Sequence, residues 1–444
     1  MKILMMTNTY FPLVGGIEQS IRSFCDEFRR LGHEVLIAAP SHEGKAEDEE
    51  HVIRVPALKK FYKTDFSINL PVLGLLPKIM KTFSPDIVHS HHPFFMGDFA
   101  LRLSRQYHRP LVFTYHIMVE KYVHYLPIQN EGAKRFVVEI AAGYANLADQ
   151  VIVPSQSVRD ILLDRGVVSP IEVIPTGVDL KQFSNGREAP PPRGTYGCGR
   201  NGADFRHRNG IPPEAFVIGH VGRLAPEKNL DFLVGCLIEL LEKEPRVRVL
   251  MVGQGPSQKM IEAAFEQAGL GKRLHLTGFL YKEDLADAYC AMDVFAFASF
   301  SETQGVVLLE AMAAGVPVVA VDAPGVREVV KDRWNGRMIE NPDRQKFVDA
   351  LTWIRNSPPE KLRAFKQQAK ETVKDYSISS CAQRMLEVYE DLRRKEIDPL
   401  RRNDSSWYML KGRLKAEWDM FKNLIEASEA ALLEKSPSEK TAGK

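Results

Sequence analysis

The sequence is poor in cysteine and carries almost no net charge. Its 444 residues include five cysteines and no Cys-x-x-Cys pair. The cysteines are Cys25, Cys198, Cys236, Cys290 and Cys381. An odd and scattered set disfavours zinc ribbons and disulfide-rich scaffolds and favours a reducing compartment. Because 59 Lys and Arg face 57 Asp and Glu, the net charge is +2, and no overall basic excess points to nucleic acid.

Long hydrophobic runs are also lacking. No uninterrupted apolar stretch reaches the ~18 residues expected of a transmembrane helix. The first residues, MKILMMTNTYFPLVGG, lack the longer apolar region and the cleavage site of a signal peptide. We therefore expect a cytoplasmic protein that is soluble or peripheral. With 44% hydrophobic and 26% charged residues, the composition is that of a globular protein rather than a disordered or fibrous one.

Short apolar runs alternate with amphipathic stretches, which indicates α/β domains built on parallel sheets with both faces covered. The strands predicted in the first half are Ile3–Thr7, Val35–Ala39, Ile87–His89, Leu111–Thr114, Gln150–Val153 and Glu172–Ile174. Those predicted in the second half are Val217–Val221, Val247–Val252, Arg273–Thr277, Val294–Ala298 and Val316–Ala320.

The same alternation divides the chain into domains. We place an N-terminal α/β domain at 1–182 and a C-terminal one at 214–378. The segment 183–213 between them is rich in Gly, Pro and Arg and is expected to be a linker or flexible insert. A helix at 379–396 is expected to cross back to the N-terminal domain, and 397–444 is predicted to be an amphipathic helical extension with a disordered tail.

A pair of glycines follows the first predicted strand. Gly15 and Gly16 open the first predicted helix, where backbone N–H groups can approach a phosphate at the positive end of the helix. A tight turn alone explains the two glycines equally well. They do not form a Gly-x-Gly-x-x-Gly motif, so the dinucleotide fingerprint is absent.

Four histidines lie at the ends of predicted strands. His89, His91 and His92 follow one strand, and His116 follows the next. In an open α/β sheet, ligands bind outside the carboxyl ends of the strands. Because no strand-end Asp-x-Asp or His-x-x-x-His accompanies the histidines, we do not expect a metal site. A structural role is the default for most of them, and His116 is the best functional candidate.

The second half contributes two cations and two carboxylates. Arg223, which follows a glycine, and Lys228 lie between a predicted strand and a helix, which suits a diphosphate, although loop cations are usually only solvated. Glu310 lies in a helix that begins near Gly305, and Glu302 lies in the loop before it. A helix N-terminus can bind an anion, while carboxylates beside it suit sugar hydroxyls. The alternative is an N-terminal charge and an exposed helical glutamate.

These motifs occur in an order that resembles the retaining glycosyltransferases of family 4. The motifs are Gly15-Gly16-x-Glu18, Gly222-Arg223 with Glu227-Lys228-Asn229, Glu302-x7-Glu310 and Ala311-Met-Ala-Ala-Gly-x-Pro-Val. The resemblance covers about residues 1–395. It implies the GT-B architecture, two Rossmann-like domains with parallel sheets that face a cleft, the first binding the acceptor and the second the nucleotide-sugar. Within the family, PDIVHSHHPF and TYHIMVEKYVHYL most resemble bacterial diacylglycerol glucosyltransferases.

The resemblance also implies a role for each motif residue. Arg223 and Lys228 would neutralise the diphosphate, Glu310 would hold the ribose, and Glu302 would hold the donor sugar. His116 would lie near the transferred sugar, so His116, Glu302, Arg223 and Lys228 are the catalytic candidates. The other donor-binding candidates contribute backbone groups or allow close approach: Gly15, Gly16, Gly278, Phe279, Leu280, Thr303, Gln304, Gly305 and Val306.

The implied reaction transfers a hexosyl unit from a nucleotide-sugar to a lipid such as diacylglycerol, with retention at the anomeric carbon. UDP-glucose is the first candidate donor, and UDP-galactose and GDP-mannose are the alternatives. No metal ion or cofactor is implied, because Arg223 and Lys228 would stabilise the leaving diphosphate. A soluble or polysaccharide-precursor acceptor is the main rival. A nucleotide-sugar epimerase and a nucleotide-binding protein without catalysis are the other classes considered.

Basic residues are concentrated at 54–109. Nine Lys and Arg against three Asp give a local charge of +6 beside the apolar LPVLGLLPKIM. Together with the resemblance, this predicts that the first domain docks on anionic lipid at the inner face of a membrane. The alternative is a solvated face around a buried helix. The candidate contact residues are Lys59, Lys60, Lys63, Lys78 and Lys81.

A helix near the end of the chain extends beyond the family pattern. Its apolar residues fall near one helical face: Trp407, Leu410, Leu414, Trp418, Phe421, Ile425 and Leu432. We expect this face to pack against the chain's own domains, ahead of self-association through 404–432 and of membrane contact. Over 404–434, four cations and six acids give a net charge of −2, which does not favour anionic lipid.

Overall fold

The chain divides into two compact units. The first comprises Met1–Pro175 with Cys381–Lys444, and the second is Thr176–Ser380. The second unit therefore begins before residue 183, where we expected a linker. The computed structural model describes residues 1–12, 15–41, 50–58, 68–69, 75–120, 130–184, 200–300, 302–395 and 406–432.

The first unit is built on a parallel sheet. Its strands are β1 (Lys2–Met6), β2 (Glu34–Pro40), β3 (Val52–Val55), β4 (Ala57–Leu58), β5 (Ile68–Asn69), β6 (Ile87–Ser90), β7 (Leu111–Thr114), β8 (Gln150–Val153) and β9 (Ile171–Val173). Seven of them form the sheet in the order β3-β2-β1-β6-β7-β8-β9, while β4 and β5 pair separately. In the centre, Met5 of β1 pairs with Ile37 on one side and His89 on the other. All three are buried, as expected of a sheet covered on both faces.

Helices connect these strands. They are α1 (Gly16–Arg30), α2 (Leu75–Thr82), α3 (Met96–Tyr107), α4 (Glu131–Leu147) and α5 (Gln156–Asp164). Ile21, Phe24 and Phe28 give α1 a buried face with helical spacing. The helix stops before Gly32, whose positive φ of 86° suits the residue that follows a helix.

The second unit repeats the architecture with a six-stranded parallel sheet. Its strands are β10 (Phe216–Val221), β11 (Val247–Val252), β12 (Leu274–Leu276), β13 (Val294–Phe297), β14 (Val318–Val321) and β15 (Gly336–Ile339), in the order β12-β11-β10-β13-β14-β15. Its helices are α6 (Leu180–Ser184), α7 (Arg200–Arg208), α8 (Leu230–Lys243), α9 (Gln258–Gln267), α10 (Lys282–Cys290), α11 (Val306–Ala313), α12 (Arg344–Arg355) and α13 (Pro359–Thr372). The predicted α/β class with two parallel sheets is confirmed.

Helix α7 lies inside the stretch that we expected to be a linker or flexible insert. Its Arg206 is 2% exposed and donates to Asp293 Oδ2 (2.9 Å) and to the carbonyls of Ala291 (2.9 Å) and Ala215 (3.1 Å). A buried guanidinium satisfied in this way anchors the helix to the second unit. Composition misled the prediction here, because Gly and Arg are typical of loops. Residues 185–199 of that stretch lie outside the described residues.

The last two helices belong largely to the first unit. They are α14 (Ile378–Lys395) and α15 (Ser406–Leu432). Tyr389 of α14 is buried, with its hydroxyl 2.5 Å from His89 Nδ1, so α14 is part of that unit's core. Within the ranges given above, no helix combines the length and the apolar character needed to cross a membrane.

Helix α15 packs on α3 and α4. The packed face is made of small residues together with Met420, which packs against the core cluster of the unit. A Cβ added at Gly412 would lie 2.0 Å from the Arg105 carbonyl oxygen, and Ala416 and Ala427 are fully buried. Packing on the chain itself was expected, whereas the expected face was wrong: Leu414 and Trp418 are exposed. The side chains of Trp407 and Leu432 lie outside the described residues.

Candidate active site

Three neighbouring strands of the second unit end in glycines that lie close together. The chain leaves β10 through Gly222, and a Cβ added at Gly253, after β11, would lie 1.9 Å from the Gly222 carbonyl oxygen. The Gly253 N–H donates to the Gly278 carbonyl, after β12, over 2.8 Å. All three glycines have positive φ. Side chains would separate these loops, so glycine lets the three backbone segments pack closely against one another.

Lys228 and Glu302 form an ion pair at the same edge of the sheet. Lys228 closes a 3₁₀ turn, Pro226–Lys228, just before α8, and Glu302 lies between β13 and α11. Lys228 Nζ lies 2.5 Å from Glu302 Oε1, and the side chains are 19% and 14% exposed. Burial alone would raise the pKa of Glu302, but the Lys228 ammonium and hydrogen bonds from Lys228 and Ser299 outweigh it and lower that pKa. Glu302 is therefore a carboxylate, and Lys228 is a cation compensated by it.

Glu310 lies on α11 in a different environment. Its Oε2 accepts a hydrogen bond from the Tyr289 hydroxyl over 2.7 Å. Burial raises the pKa of Glu310 to about 7, although the Tyr289 hydrogen bond acts in the opposite direction. Glu310 is thus poised between its neutral and ionised forms near neutral pH. Such a carboxyl can accept hydrogen bonds from a ligand that stabilises its charge.

The loop into α11 combines a left-handed glycine with a structural glutamine. Gly305 precedes α11 with φ 69°. The Gln304 side chain is buried, and it accepts from the Thr176 N–H (2.6 Å) and donates to the Thr176 carbonyl (2.7 Å). These bonds fix the loop from Thr303 to Val306. The Gln304 side-chain amide is therefore occupied within the unit.

The other predicted donor-site residues of this unit are found nearby in the chain. Arg223 is exposed in the loop after β10. Gly278 has φ 73°, and an added Cβ would lie 3.1 Å from Gln254 Nε2. Phe279 is 48% exposed, and Leu280 packs against the core cluster of the unit.

Sequence reasoning missed His220. Its ring is fully buried on β10, where Nδ1 donates to the Ala296 carbonyl over 3.1 Å. Burial lowers the pKa of His220 to about 4, so the ring is neutral. Its Nε2 is buried without a hydrogen-bond partner among the described residues and lies 3.8 Å from the place of a Cβ on Gly222. Within the apolar strand sequence FVIGHV, nothing distinguishes this histidine from an ordinary core residue. Only its position near the end of the strand could have marked it as a candidate site residue.

In the first unit, histidines lie at the carboxyl ends of the strands, where the second unit has the Lys228–Glu302 ion pair. His116 Nε2 lies 2.8 Å from His91 Nδ1, and the His91 ring stacks on both His89 and His116. Burial is the main cause that lowers the pKa of His91 and His116 well below 6.5 and that of His89 to about 3. His92 Nδ1 accepts from the Asn8 N–H over 3.2 Å. The four rings are neutral, and hydrogen bonds within the unit hold all four of them.

The glycines of the first unit lie at the start of α1. The helix begins at Gly16, after Gly15 in an extended conformation. A Cβ at Gly15 would lie 2.8 Å from Glu18 Oε2, whereas one at Gly16 would meet nothing within 4 Å. Burial raises the pKa of Glu18. The turn is therefore compact at Gly15 and open at Gly16.

Some of the basic side chains predicted to form a surface at 54–109 instead make hydrogen bonds or ion pairs within the first unit. Arg54 donates to the carbonyls of Phe11 and Pro40, Arg102 pairs with Glu417, and Arg105 pairs with Asp149. Lys78 and Lys81 are exposed on α2. Lys59, Lys60 and Lys63 lie outside the described residues. Where the chain is described, no group of three or more His, Cys, Asp or Glu side chains could hold a metal ion.

The sequence matches two models of glycosyltransferase families. Residues 203–372 match the family Glycosyl transferases group 1, and residues 14–182 match Glycosyltransferase Family 4. An alpha-monoglucosyldiacylglycerol synthase of Streptococcus pneumoniae is 30% identical over 76% of this chain and 75% of its own length. A GDP-mannose-dependent alpha-mannosyltransferase of Mycobacterium tuberculosis is 29% identical over 76% and 83%.

A solved structure agrees with the fold. Anabaena HepE in complex with UDP-glucose is similar to this chain with a TM-score of 0.68 and 22% identity, over 88% of this chain and 99% of its own. At this identity the similarity supports the two-domain GT-B fold alone. With two family matches in order and a relative at 30% identity, the protein belongs to the family 4, group 1 glycosyltransferases and is a glycosyltransferase with the GT-B fold.

Proposed function

We propose that the protein transfers glucose from UDP-glucose to a lipid acceptor such as diacylglycerol, with retention at the anomeric carbon and without a metal ion. The observation that supports this most is the Lys228–Glu302 pair at the glycine-lined edge of the second sheet. The pair offers a cation for a diphosphate and a carboxylate for sugar hydroxyls.

The ion pair explains how the donor site is kept ready for its ligand. An ammonium that is 19% exposed would be costly to bury alone, and Glu302 compensates it while no donor is bound. An arriving diphosphate shares the Lys228 cation and gains a second one from the exposed Arg223. Glu302 can then accept hydrogen bonds from the hydroxyls of the donor sugar.

Glu310 suits the ribose of the nucleotide. Two neighbouring hydroxyls can donate to one carboxylate, and Tyr289 already donates to Oε2. Binding favours the ionised form, because two further donors stabilise the negative charge. The loop from Gly278 to Leu280 presents backbone and an exposed Phe279 ring to the base.

The chemical step depends on charge that develops on the leaving diphosphate. Arg223 and Lys228 stabilise this charge more strongly as the glycosidic bond breaks, which lowers the barrier. The departing phosphate then takes the proton of the acceptor hydroxyl on the face that it leaves, so the configuration is retained. The neutral His116 is assigned the position near the transferred sugar.

The choice of donor and acceptor draws on the named relatives. The Streptococcus pneumoniae relative is named for a glucosyl transfer to diacylglycerol, and the Anabaena structure holds UDP-glucose. The exposed Lys78 and Lys81 on α2 are consistent with an anionic lipid surface near the acceptor.

A donor screen tests the proposal. Purified protein in excess chelator receives UDP-glucose, UDP-galactose or GDP-mannose, with and without vesicles of diacylglycerol and phosphatidylglycerol. Release of UDP from UDP-glucose that needs the vesicles and yields an α-glucosyl lipid is the expected result. UDP release that does not depend on the vesicles would overturn the lipid acceptor. A β-linked product would overturn retention, and a requirement for Mg²⁺ would overturn the metal-independent mechanism.

A mannosyl transfer from GDP-mannose is the second candidate. It is favoured by the Mycobacterium tuberculosis relative, whose identity and coverage are close to those of the diacylglycerol enzyme. The same screen decides between the two, because GDP-mannose would then be the donor that releases its nucleotide.

A further inference from the structure

Helix α15 carries a row of large apolar side chains that face solvent. Leu410, Leu414, Trp418, Phe421, Leu424 and Ile425, here called the apolar ridge, are between 42% and 66% exposed. Most follow one another at intervals of three or four residues, so they share one side of the helix. A continuous exposed apolar surface of this kind marks an interaction site.

The opposite side of the helix is what holds it to the first unit. Gly412 and Ala416 lie against α3, where no larger side chain fits at Gly412. Asn423 donates to the Ile140 carbonyl of α4 over 3.1 Å. Arg135 donates to the carbonyls of Ala430 and Ala431 over 3.2 Å. The helix is therefore fixed along its length, and the ridge cannot serve as the packing face.

Cations flank the ridge. Lys411, Lys415 and Lys422 are exposed and follow one edge, and Arg413 lies at the other. Lys422 also forms an exposed ion pair with Glu426 over 3.8 Å. Over 410–425 four cations and two acids give a net charge of +2, and one of the two acids, Glu417, is paired with Arg102 at 2.7 Å. The net −2 counted over 404–434 comes from acids outside the ridge, at Asp404 and beyond Ile425.

We propose that the apolar ridge docks the protein on an anionic lipid bilayer. Trp418 and Phe421 enter the boundary between headgroups and acyl chains, and the flanking lysines meet the lipid phosphates. The inference deepens the proposed lipid acceptor and rests on it, because docking brings the enzyme to the surface where that acceptor lies. A second copy of the chain is the less favoured occupant, because pairing two ridges brings cationic edges together.

Vesicle flotation with the full chain tests the docking. The variant Leu414→Ser/Trp418→Ser/Phe421→Ser should lose about 30-fold or more in partition onto phosphatidylglycerol vesicles, because three apolar side chains no longer leave water. The matched control Leu163→Ser/Val168→Ser removes two exposed apolar side chains elsewhere on the first unit and should partition like the wild type. Equal partition of wild type and ridge variant would overturn the inference.

A charge variant gives an independent readout. Lys411→Gln/Lys415→Gln/Lys422→Gln should weaken binding to phosphatidylglycerol vesicles about 10-fold or more and change binding to phosphatidylcholine vesicles little. An equal effect on both lipids would contradict the assigned headgroup contacts. Circular dichroism and a thermal melt confirm that each variant is folded.

Two controls separate this inference from the proposed function. The ridge variant should keep its transfer rate on a water-dispersed short-chain diacylglycerol while losing transfer on vesicles. Wild-type flotation without transfer to any lipid would reject the proposed acceptor and leave docking intact. Sedimentation that shows a wild-type dimer and a monomeric ridge variant, with no flotation of either, would assign the ridge to a second copy and overturn the lipid inference.

Discussion

Each of the two units is built on its own parallel sheet, but the side chains that follow the central strands differ in charge between the units. In the second unit the strands lead into an ion pair, Lys228 and Glu302, in which each charge keeps its partner. In the first unit they lead into stacked histidines whose charge is suppressed by burial. The two units thus have the same architecture but different charges at the ends of their strands. The residue types there, and not the sheet, decide whether the buried side chains are ionised or neutral.

The second unit also contains a purely structural ion pair, and breaking it should have the largest effect. Arg206→Ala leaves Asp293 buried at 5% exposure without its guanidinium. We expect a loss of about 3–5 kcal/mol in the free energy of unfolding, measured by urea denaturation. Arg208→Ala on the same helix removes pairs with Asp284 and Asp287 from an arginine that is 55% exposed, and it should cost at most about 1 kcal/mol. Equal losses would mean that burial does not distinguish the two arginines.

The Lys228–Glu302 pair, which we propose binds the donor, should matter to the reaction rate rather than to folding. Lys228→Ala should lower kcat/KM for the donor about 10²–10³-fold, because the developing diphosphate charge loses its preorganised cation. The control Lys243→Ala removes an exposed lysine paired with Glu239 and should leave kcat/KM unchanged. Steady-state kinetics with folding checked by circular dichroism decide the matter. A Lys228→Ala enzyme with normal kcat/KM would remove the ion pair from the donor site.

Glu310 should impose a pH dependence on nucleotide binding. With a pKa of about 7 in the free protein, its ionised fraction rises from about a tenth at pH 6 to about nine tenths at pH 8. If the carboxylate form binds ribose, UDP affinity should rise about 10-fold over this range in calorimetric titrations. Glu310→Gln should flatten that part of the profile while the titration of UDP itself persists. Tyr289→Phe removes a hydrogen bond that lowers this pKa, so the rise should move to higher pH.

The smallest effect is expected for the histidines of the first unit when the pH is changed. They should not titrate near neutral pH. Because burial holds the pKa of His116 and His91 well below 6.5, their side-chain nitrogen resonances should stay constant from pH 6 to pH 8. In urea the same residues should titrate near pH 6.5. The unfolded chain then binds more protons, so stability should fall as the pH drops below about 6.5. Resonances that move in the folded protein would contradict the contrast between the units.

Most of the fold was predictable because buried parallel strands are continuous apolar runs. The runs at β10, β11 and β13 left little ambiguity. Strand β15 was not predicted, because its sequence GRMI begins with Gly and Arg. Helix α7 was missed for a related reason: Arg206 is buried, and composition cannot show which arginine finds a buried carboxylate and backbone carbonyls.

The site and the last helix show what periodicity cannot decide. The spacing of Glu302 and Glu310 was visible, but the opposite directions of their pKa shifts depend on Lys228 and on burial. The apolar period of α15 was visible as well. It could not show that the helix would pack through Gly412 and Ala416, because small residues pack well only against a particular neighbouring backbone.

We propose that the charged edge of the second unit holds the donor diphosphate without a metal ion. Calorimetric titration of UDP and GDP into wild type and Lys228→Ala, all in excess chelator, tests it most directly. We expect the wild type to bind UDP in chelator and Lys228→Ala to bind it about 100-fold more weakly. Binding by the wild type only after Mg²⁺ is added, or equal affinity of the two proteins, would contradict it.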